Sequence, residues 1–228
     1  ILSCNQHDLS AFQPLKVENV KVGYLRHNFA SLLLQFKGVF EDSGTAVSLS
    51  HELTDFDTRT QAVSEVVCKL ISQEQLPRLR REWYPVKSSF TELPLFQLDR
   101  AVVAHFGVRA FGVHVNGFVQ KQDGNLDLWI ARRAKDRILC PGMLDNMVAG
   151  GQPIGLGLMD NVIKECDEEA AIPRKISETA TPVSAISYVM ETESGLKPDT
   201  MFCFDLRLPD NFVPVNRDGE VANFYRWP

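Results

Sequence analysis

One amphipathic helix, set among runs of strand character, constrains the fold of this chain more than any other feature. From about Leu158 onward, Met159, Val162, Ile163, Cys166 and Ala170 fall on one stripe when each residue advances a helix by about 100°. Such a stripe requires a core to face. Around it, "FGVHVNGFV", "LDLWIARRA", "VSAISYVMET" and "TMFCFDLRL" are β-branched or aromatic runs of strand length. Between the first two, "QKQDGNLD" signals a hairpin centred on Asp123-Gly124. Strands surrounding one helix predict an α/β (α+β) sandwich.

The 228 residues, 44% of them apolar, supply core for one large domain or two small ones. The texture changes near residue 105. Before it, "TQAVSEVVCKLISQ" places Val63, Val66, Val67 and Leu70 at helical spacing, "ASLLLQF" is a short apolar run, and "EDSG" and "HELTDFDTRT" read as turns and a helix start. The expected division is an α+β accessory domain over 1–105 and a second domain over 106–228.

Charge and composition narrow the partners. A net charge of -5 and a pI near 5.6 exclude a nucleic-acid groove as the main business, since neutralising phosphates needs a basic stripe; Arg78, Arg80 and Arg81 read as solvated surface. No apolar run approaches the roughly 20 residues that cross a bilayer, so no membrane partner is expected. Cys4, Cys68, Cys140, Cys166 and Cys203 are odd in number and contain no C-x-x-C pair, which suggests neither a zinc knuckle nor a disulfide framework. A reducing compartment fits. Oligomeric state has no signature here.

The helix ends in acid. "KECDEEAAIP" sets Glu165, Asp167, Glu168 and Glu169 within one short stretch, and Glu165, Glu168 and Glu169 share an arc beside the apolar stripe because i, i+3 and i+4 lie on one face. Like charges at this spacing repel, and carboxylates in a last turn oppose the helix dipole by roughly 0.3–1 kcal/mol each. A solvated acidic face is the plain alternative. A cation relieves the repulsion, and oxygen donors on a rigid helix, partly wet and partly against a core, suit Mg²⁺, which takes one or two carboxylates, keeps several waters and bridges to phosphate oxygens.

The segment "PGMLDNMVAGGQPIGLGLMDNVIKECDEEAAI" resembles the Nudix hydrolase box. Aligned on the helix, Gly150 takes the box's first glycine and Glu165, Glu168 and Glu169 its three helix carboxylates. Leu156 stands where the box has its first Glu, Lys164 where it has Arg, and Ala171 where it has its last Gly. From Phe40 through Val221, "REWYPVKSSF", "RAVVAHFGVRAFGVHVNGFV" and "CFDLRLPDNFVPVNRDGEV" look like plant Nudix proteins with an N-terminal accessory domain, related to the Nudix half fused to fungal thiamine pyrophosphokinase. The resemblance implies a Nudix α/β/α sandwich with a mixed sheet. It implies metal-dependent hydrolysis of a diphosphate linkage, with thiamine diphosphate and its oxidised forms as substrates. It also implies a chloroplast location, with a transit peptide upstream of Ile1. Relatives continue past "GEV" with a further helix and strand, and two readings of the end at Pro228 stand, a native ending and a truncation.

On that resemblance Glu165, Glu168 and Glu169 are catalytic residues and metal ligands, joined by the Gly150 carbonyl and by Glu220 in "DGEV". A strand-edge surface carboxylate is the alternative for Glu220. Arg132 and Arg133 end a strand and are expected to clamp phosphate, whose geometry a guanidinium matches; alternation along the strand lets at most one face the site. Trp129 is a candidate platform for a substrate ring, with a core role as its alternative, and His114 reads as a core histidine. Cys140 has no histidine near it in sequence to activate it. Isopentenyl diphosphate isomerase shares the flank and fold, but "LDNMVAGG" lacks its cysteine and histidines. Two other readings stand: a catalytically weak Nudix-fold binding protein, motivated by Leu156, and a hydrolase of nucleoside diphosphate derivatives.

Overall fold

The structure, a computed structural model, describes residues 2–137 and 140–228. Two compact units emerge, one from the chain up to Ala110 together with Ser187–Thr200, the other from Phe111–Ile186 and Met201–Pro228.

The first unit opens with β1 (Phe12–Val17), β2 (Val20–Arg26), α1 (His27–Leu33), β3 (Phe40–Asp42), β4 (Val47–Leu49) and α2 (Phe56–Ser72), followed by a pair, β5 (Trp83–Val86) and β6 (Phe96–Asp99). Its sheet runs β2-β1-β4-β3, antiparallel except for the parallel β1–β4 pair. The apolar run beginning at Ala30 completes α1 and buries Ala30 and Leu33. Helix α2 buries Val63, Val66, Val67 and Leu70, the four positions its periodicity marks, with Asp55 and Thr58 closing a reciprocal capping box at its start. Asp99 is buried, and its carboxylate accepts N–H bonds from Arg80 (3.0 Å), Arg81 (2.7 Å) and Ala101 (2.9 Å). The side chains of Arg78, Arg80 and Arg81 stay exposed.

The second unit comprises β7 (Phe111–Gln120), β8 (Leu126–Arg133), β9 (Leu144–Asp145), β10 (Val148–Gly151), α3 (Leu158–Ala170), α4 (Arg174–Ser177) and β11 (Thr181–Ser187). The chain then returns to the first unit as the hairpin β12 (Met190–Thr192) and β13 (Gly195–Lys197), before completing the second with β14 (Thr200–Arg207) and β15 (Val221–Trp227). The sheet order is β11-β14-β7-β8-β15, with β10 added on β7 and β9 on β8. Strands β7 and β8 meet at the expected hairpin: Gly124 takes φ +86, Lys121 N–H donates to the Asn125 carbonyl at 2.8 Å, and Asp123 accepts from Asn125 N–H. The run "VSAISYVMET" divides between β11 and β12, because its second half pairs with β13 rather than continuing the large sheet.

Helix α3 lays Val162, Cys166 and Ala170 against Val113, Val115, Met147, Val148 and Phe204. Burying side chains of the size of Val or Phe stabilises by about 1.5–3 kcal/mol each. The buried face is turned from the one the apolar stripe predicts: Asn161 and Glu169 are buried, whereas Met159 and Ile163 are only half-buried. Polar contacts made by those two residues account for the turn. Across the described residues no helix is long and apolar enough to cross a membrane.

Candidate catalytic and metal site

Strand β10 and the loop after it fix the start of α3. Gln152 is buried and accepts from the Asn161 amide (3.1 Å), while its own amide donates to the Leu156 carbonyl (2.5 Å). Asn161, fully buried, also donates to the Gly151 carbonyl (2.8 Å), and its Oδ1 has no donor among the described residues. Gly157 caps α3 without a side-chain bond, and it is this amide pair that ties the loop to the helix. At the far end Ala171 adopts φ +54, Ala171 N–H donates to the Asp167 carbonyl (3.1 Å), and Ile172 N–H to the Cys166 carbonyl (2.9 Å). That is a left-handed cap which glycine makes without strain and alanine makes at a cost of about 1 kcal/mol.

Gly150 pairs with Val113 in the β7–β10 ladder. A Cβ there would lie 2.2 Å from the Glu165 carboxyl carbon and 2.3 Å from its Cγ. Glycine at 150 therefore lets Glu165 press onto β10. Its carbonyl oxygen lies 2.9 Å from where a side chain at Gly112 would begin. One residue earlier, Ala149 N–H donates to Glu169 at 2.9 Å.

The three helix glutamates are graded in burial. Glu169 is 4% exposed, the Glu165 side chain 12% and that of Glu168 45%. Burial pushes the Glu169 carboxyl up to about 9; the Ala149 N–H opposes this, and the negative charges of Glu165, Asp218 and Glu220 reinforce it. The same surroundings push the Cys166 thiol up to about 12, burial first and then Glu169 and Glu165, so that thiol is inert near neutral pH. Lys164 Nζ lies 3.1 Å from Glu165 and 2.7 Å from Glu168. Burial draws its ammonium down, but hydrogen bonds and charge from Glu168 and Glu165 outweigh it and hold the group above its ordinary value.

Asp218 and Glu220 arrive from the loop preceding β15. That loop is tied to the helix end by Arg217 N–H on the Glu168 carbonyl (3.1 Å), Val215 N–H on the Ala170 carbonyl (3.1 Å) and an Arg217–Asp167 ion pair. Asp218 accepts from Glu220 N–H (2.8 Å), and Glu220 pairs with Arg137 (3.2 Å). Sequence reasoning named Glu220 and missed Asp218; its place two residues earlier in "RDGE" was the available signal.

Carboxylate oxygens are the right donors for a hard divalent ion, and buried Glu169 ionises readily only when positive charge joins it. The donor set fits. As they stand, no three His, Cys, Asp or Glu side chains among the described residues converge on one ligating point, and Lys164 draws Glu165 and Glu168 together instead.

The remaining candidates have other commitments. Arg132 donates to the Tyr225 hydroxyl (3.1 Å) and the Gly142 carbonyl (2.9 Å), with its guanidinium 5.4 Å over the Tyr225 ring. Arg133 pairs with Asp145 at 3.2 Å. Trp129 packs partly buried against the core, and its indole N–H is buried without an acceptor among the described residues. His114 is half-buried on β7 rather than deep in the core; burial lowers its pKa and nearby Asp145 works the other way. Cys140 is exposed.

Residues 1–110 match a family described as Domain of unknown function (DUF4743). Over 232 residues the chain is 40% identical to Nudix hydrolase 20, chloroplastic, of Arabidopsis thaliana, an alignment spanning 97% of this chain and 62% of that protein. Nudix hydrolase 24, chloroplastic, of the same plant is 39% identical over 225 residues, spanning 97% and 61%. The chain thus spans a little over 60% of the length of these curated relatives. Among solved structures, DR0079 from Deinococcus radiodurans gives a TM-score of 0.47 at 21% identity over 64% of this chain and 83% of that one. Identity near 40% sustained along 97% of its residues makes the chain a homologue of the plant Nudix hydrolases.

Proposed function

We propose that the chain catalyses metal-dependent hydrolysis of a diphosphate linkage at the acidic end of α3, with Mg²⁺ or Mn²⁺ as cofactor. The observation that carries this reading is Glu169: a buried carboxyl, pushed up further by the negative charges of Glu165, Asp218 and Glu220, with one backbone N–H to offset its charge. Such an arrangement is costly for stability alone and useful once a cation completes it.

Glu165, Glu168, Glu169 and Glu220, with Asp218 beside them, would hold the ion, which when bound neutralises charge developing on the phosphoryl oxygens and acidifies water. Each carboxylate has its own duty. Ala149 N–H aims Glu169, and Lys164 draws Glu165 and Glu168 together. Glu165, pressed on Gly150, has little freedom to swing, which supports it, over a neighbouring carboxylate, as the group that orients the attacking water and takes its proton. Arg132 and Arg133 at the end of β8 are the candidate phosphate contacts, of which strand alternation lets at most one face the site. Trp129 is committed to packing, so ring stacking on it carries no weight in this reading.

Thiamine diphosphate and its oxidised forms are the proposed substrates, cleaved to the monophosphate and phosphate, on the strength of sequence likeness. The names of the two Arabidopsis relatives support a chloroplast location. A competition assay at fixed Mg²⁺ tests the substrate: oxidised thiamine diphosphates should show the highest kcat/KM, intact thiamine diphosphate less, and nucleoside diphosphate sugars least. Preference for ADP-ribose would move the reading to nucleoside diphosphate derivatives. A second reading, a weakly active binding protein, is favoured by one observation, Leu156 in place of a carboxylate. Leu156→Glu should change turnover only modestly; a rise of about 10²-fold, the size of restoring a group that acts on transition-state charge, would favour the binding protein.

A further inference from the structure

Strand pairing in the second unit gathers six apolar side chains on the sheet face turned away from α3. Phe118 stands opposite Leu128 in the β7–β8 ladder, Leu128 opposite Trp227 and Ile130 opposite Tyr225 in the β8–β15 ladder, and residues directly opposite share a face. Leu126 joins them two residues along β8. The alternate positions Val119, Trp129, Ala131 and Phe224 point the other way: Val119 is in the core that α3 covers, and Trp129 and Phe224 pack against it. We propose that the open face is a docking surface for a second copy of the chain, the two sheets closing face to face about a two-fold axis. The proposal is independent of the hydrolase reading.

The six side chains belong to neither apolar core. Leu126 is 49% exposed, Trp227 45% and Leu128 44%, while Phe118, Ile130 and Tyr225 are half-buried. Scattered exposed leucines are ordinary, but a contiguous apolar surface of a few hundred Å² marks an interaction site. The area suits a dimer. The five strands of the sheet each hold at least seven residues, and at about 4.8 Å between strands and 3.3 Å per residue the face covers roughly 550 Å² in projection. Two such faces reach about 1,100 Å² before pleating and side chains are added, which brings the pair to the size of stable interfaces, about 1,200–2,000 Å².

Shape and charge select a copy as the occupant. Sheet faces pack on one another about 10 Å apart with their strands nearly aligned, so a flat face is complementary to itself. With a net charge of -5, two copies repel wherever charged surfaces meet. The six side chains are uncharged, so an isologous contact, which sets a patch against itself, brings no like charges together at its centre. An acidic or basic partner finds no counter-charge there. Arg132, at one end of the patch, is committed to the Tyr225 hydroxyl (3.1 Å) and the Gly142 carbonyl (2.9 Å). On the side towards β14, Asn116 donates to Asp205 at 2.9 Å and begins a polar border. An apolar centre with a polar rim is the anatomy of a protein–protein interface, and of homodimers above all.

The test is sedimentation equilibrium of the full chain from about 1 μM to about 200 μM, a range that brackets a micromolar dimer. The mass should climb from 25.6 kDa towards twice that value. Leu128→Glu should weaken the dimer at least about 100-fold, because a two-fold interface carries the new carboxylate twice. Trp227→Ser should weaken it about 10-fold or more. Leu93→Glu, at an 85% exposed leucine of the first unit, should leave it unchanged. Circular dichroism melts separate lost association from lost folding. Anilinonaphthalene sulfonate, which reports open apolar surface, should bind the dilute parent chain and be released as concentration rises; this arm needs no variant to fold. A parent chain that stays monomeric across the range, a dimer that persists in both Leu128→Glu and Trp227→Ser, or dye that stays bound in the dimer would overturn the proposal.

Discussion

Helix α2 begins on the Asp55–Thr58 capping box, with Asp57 in its first turn and Lys69 in its last, so both ends complement the helix dipole. Helix α3 begins on Gly157 with no side-chain cap, has no base in its last turn and ends on a left-handed alanine. Each buries one charged residue. In α2, Arg59 pairs with Glu18 at 2.6 Å and donates to the Leu53 and Thr54 carbonyls at 2.9 and 3.2 Å. In α3, Glu169 takes one backbone bond, and the negative charges of Glu165, Asp218 and Glu220 act on it. Side chains and carbonyls of the chain itself match the buried charge of α2, whereas in α3 one backbone N–H meets the Glu169 carboxyl and burial favours its protonated form.

The contrast breaks most visibly at the glutamates. Glu165→Gln and Glu169→Gln should each lower turnover at least about 10²-fold while the fold persists, because each removes charge that acts on the transition state. Asp55→Ala in α2 should leave turnover unchanged. Steady-state assays with matched circular dichroism check both. Undiminished turnover in both glutamine variants would end the assignment of α3 as the catalytic helix.

Stability against pH sharpens the comparison next. Glu169 rises from an ordinary 4.5 to about 9 in the folded, metal-free chain. The folded state then holds a proton that the unfolded state gives up, so the contribution is full below the unfolded value and is lost as pH rises toward the folded one. Between about pH 5 and pH 9 this one group should lower stability by up to roughly 1.4 kcal/mol per pH unit. Glu169→Gln should flatten that slope in urea titrations with chelator present; an unchanged slope would show that Glu169 ionises normally.

Two smaller effects separate the helix ends. Removing the α2 cap with Asp55→Ala should cost about 1 kcal/mol. Ala171→Gly should stabilise by about 0.5–1 kcal/mol, since left-handed strain exceeds the extra freedom glycine gains when unfolded. Thermal unfolding with bound metal excluded reads both, and a loss of stability in Ala171→Gly would show that the alanine side chain has a packing role.

Periodicity alone located α2 and its four buried valine and leucine positions, and Asp123-Gly124 located the β7–β8 hairpin, because local spacing and turn chemistry decide such features. The acidic arc of α3 was legible for the same reason. Its depth was not. An apolar count puts Ile163 inside and Glu169 at the margin, whereas hydrogen bonds from Asn161 and to Glu169 turn the helix the other way. Those bonds run to β10 and its loop, which no helical wheel contains. The excursion of Ser187–Thr200 into the first unit was equally hidden, since it depends on pairing and on Arg26 reaching Glu191, contacts remote in sequence. Asp218 escaped notice because its effect on Glu169 exists only once the loop before β15 folds against the end of α3.

Mn²⁺ binding to the full chain, followed by calorimetry beside Glu169→Gln and Asp55→Ala, tests most directly whether α3 is completed by a cation. The account predicts binding in the parent chain, binding weakened by at least about 10-fold in Glu169→Gln, and unaltered binding in Asp55→Ala. Equal Mn²⁺ affinity in all three proteins would contradict it.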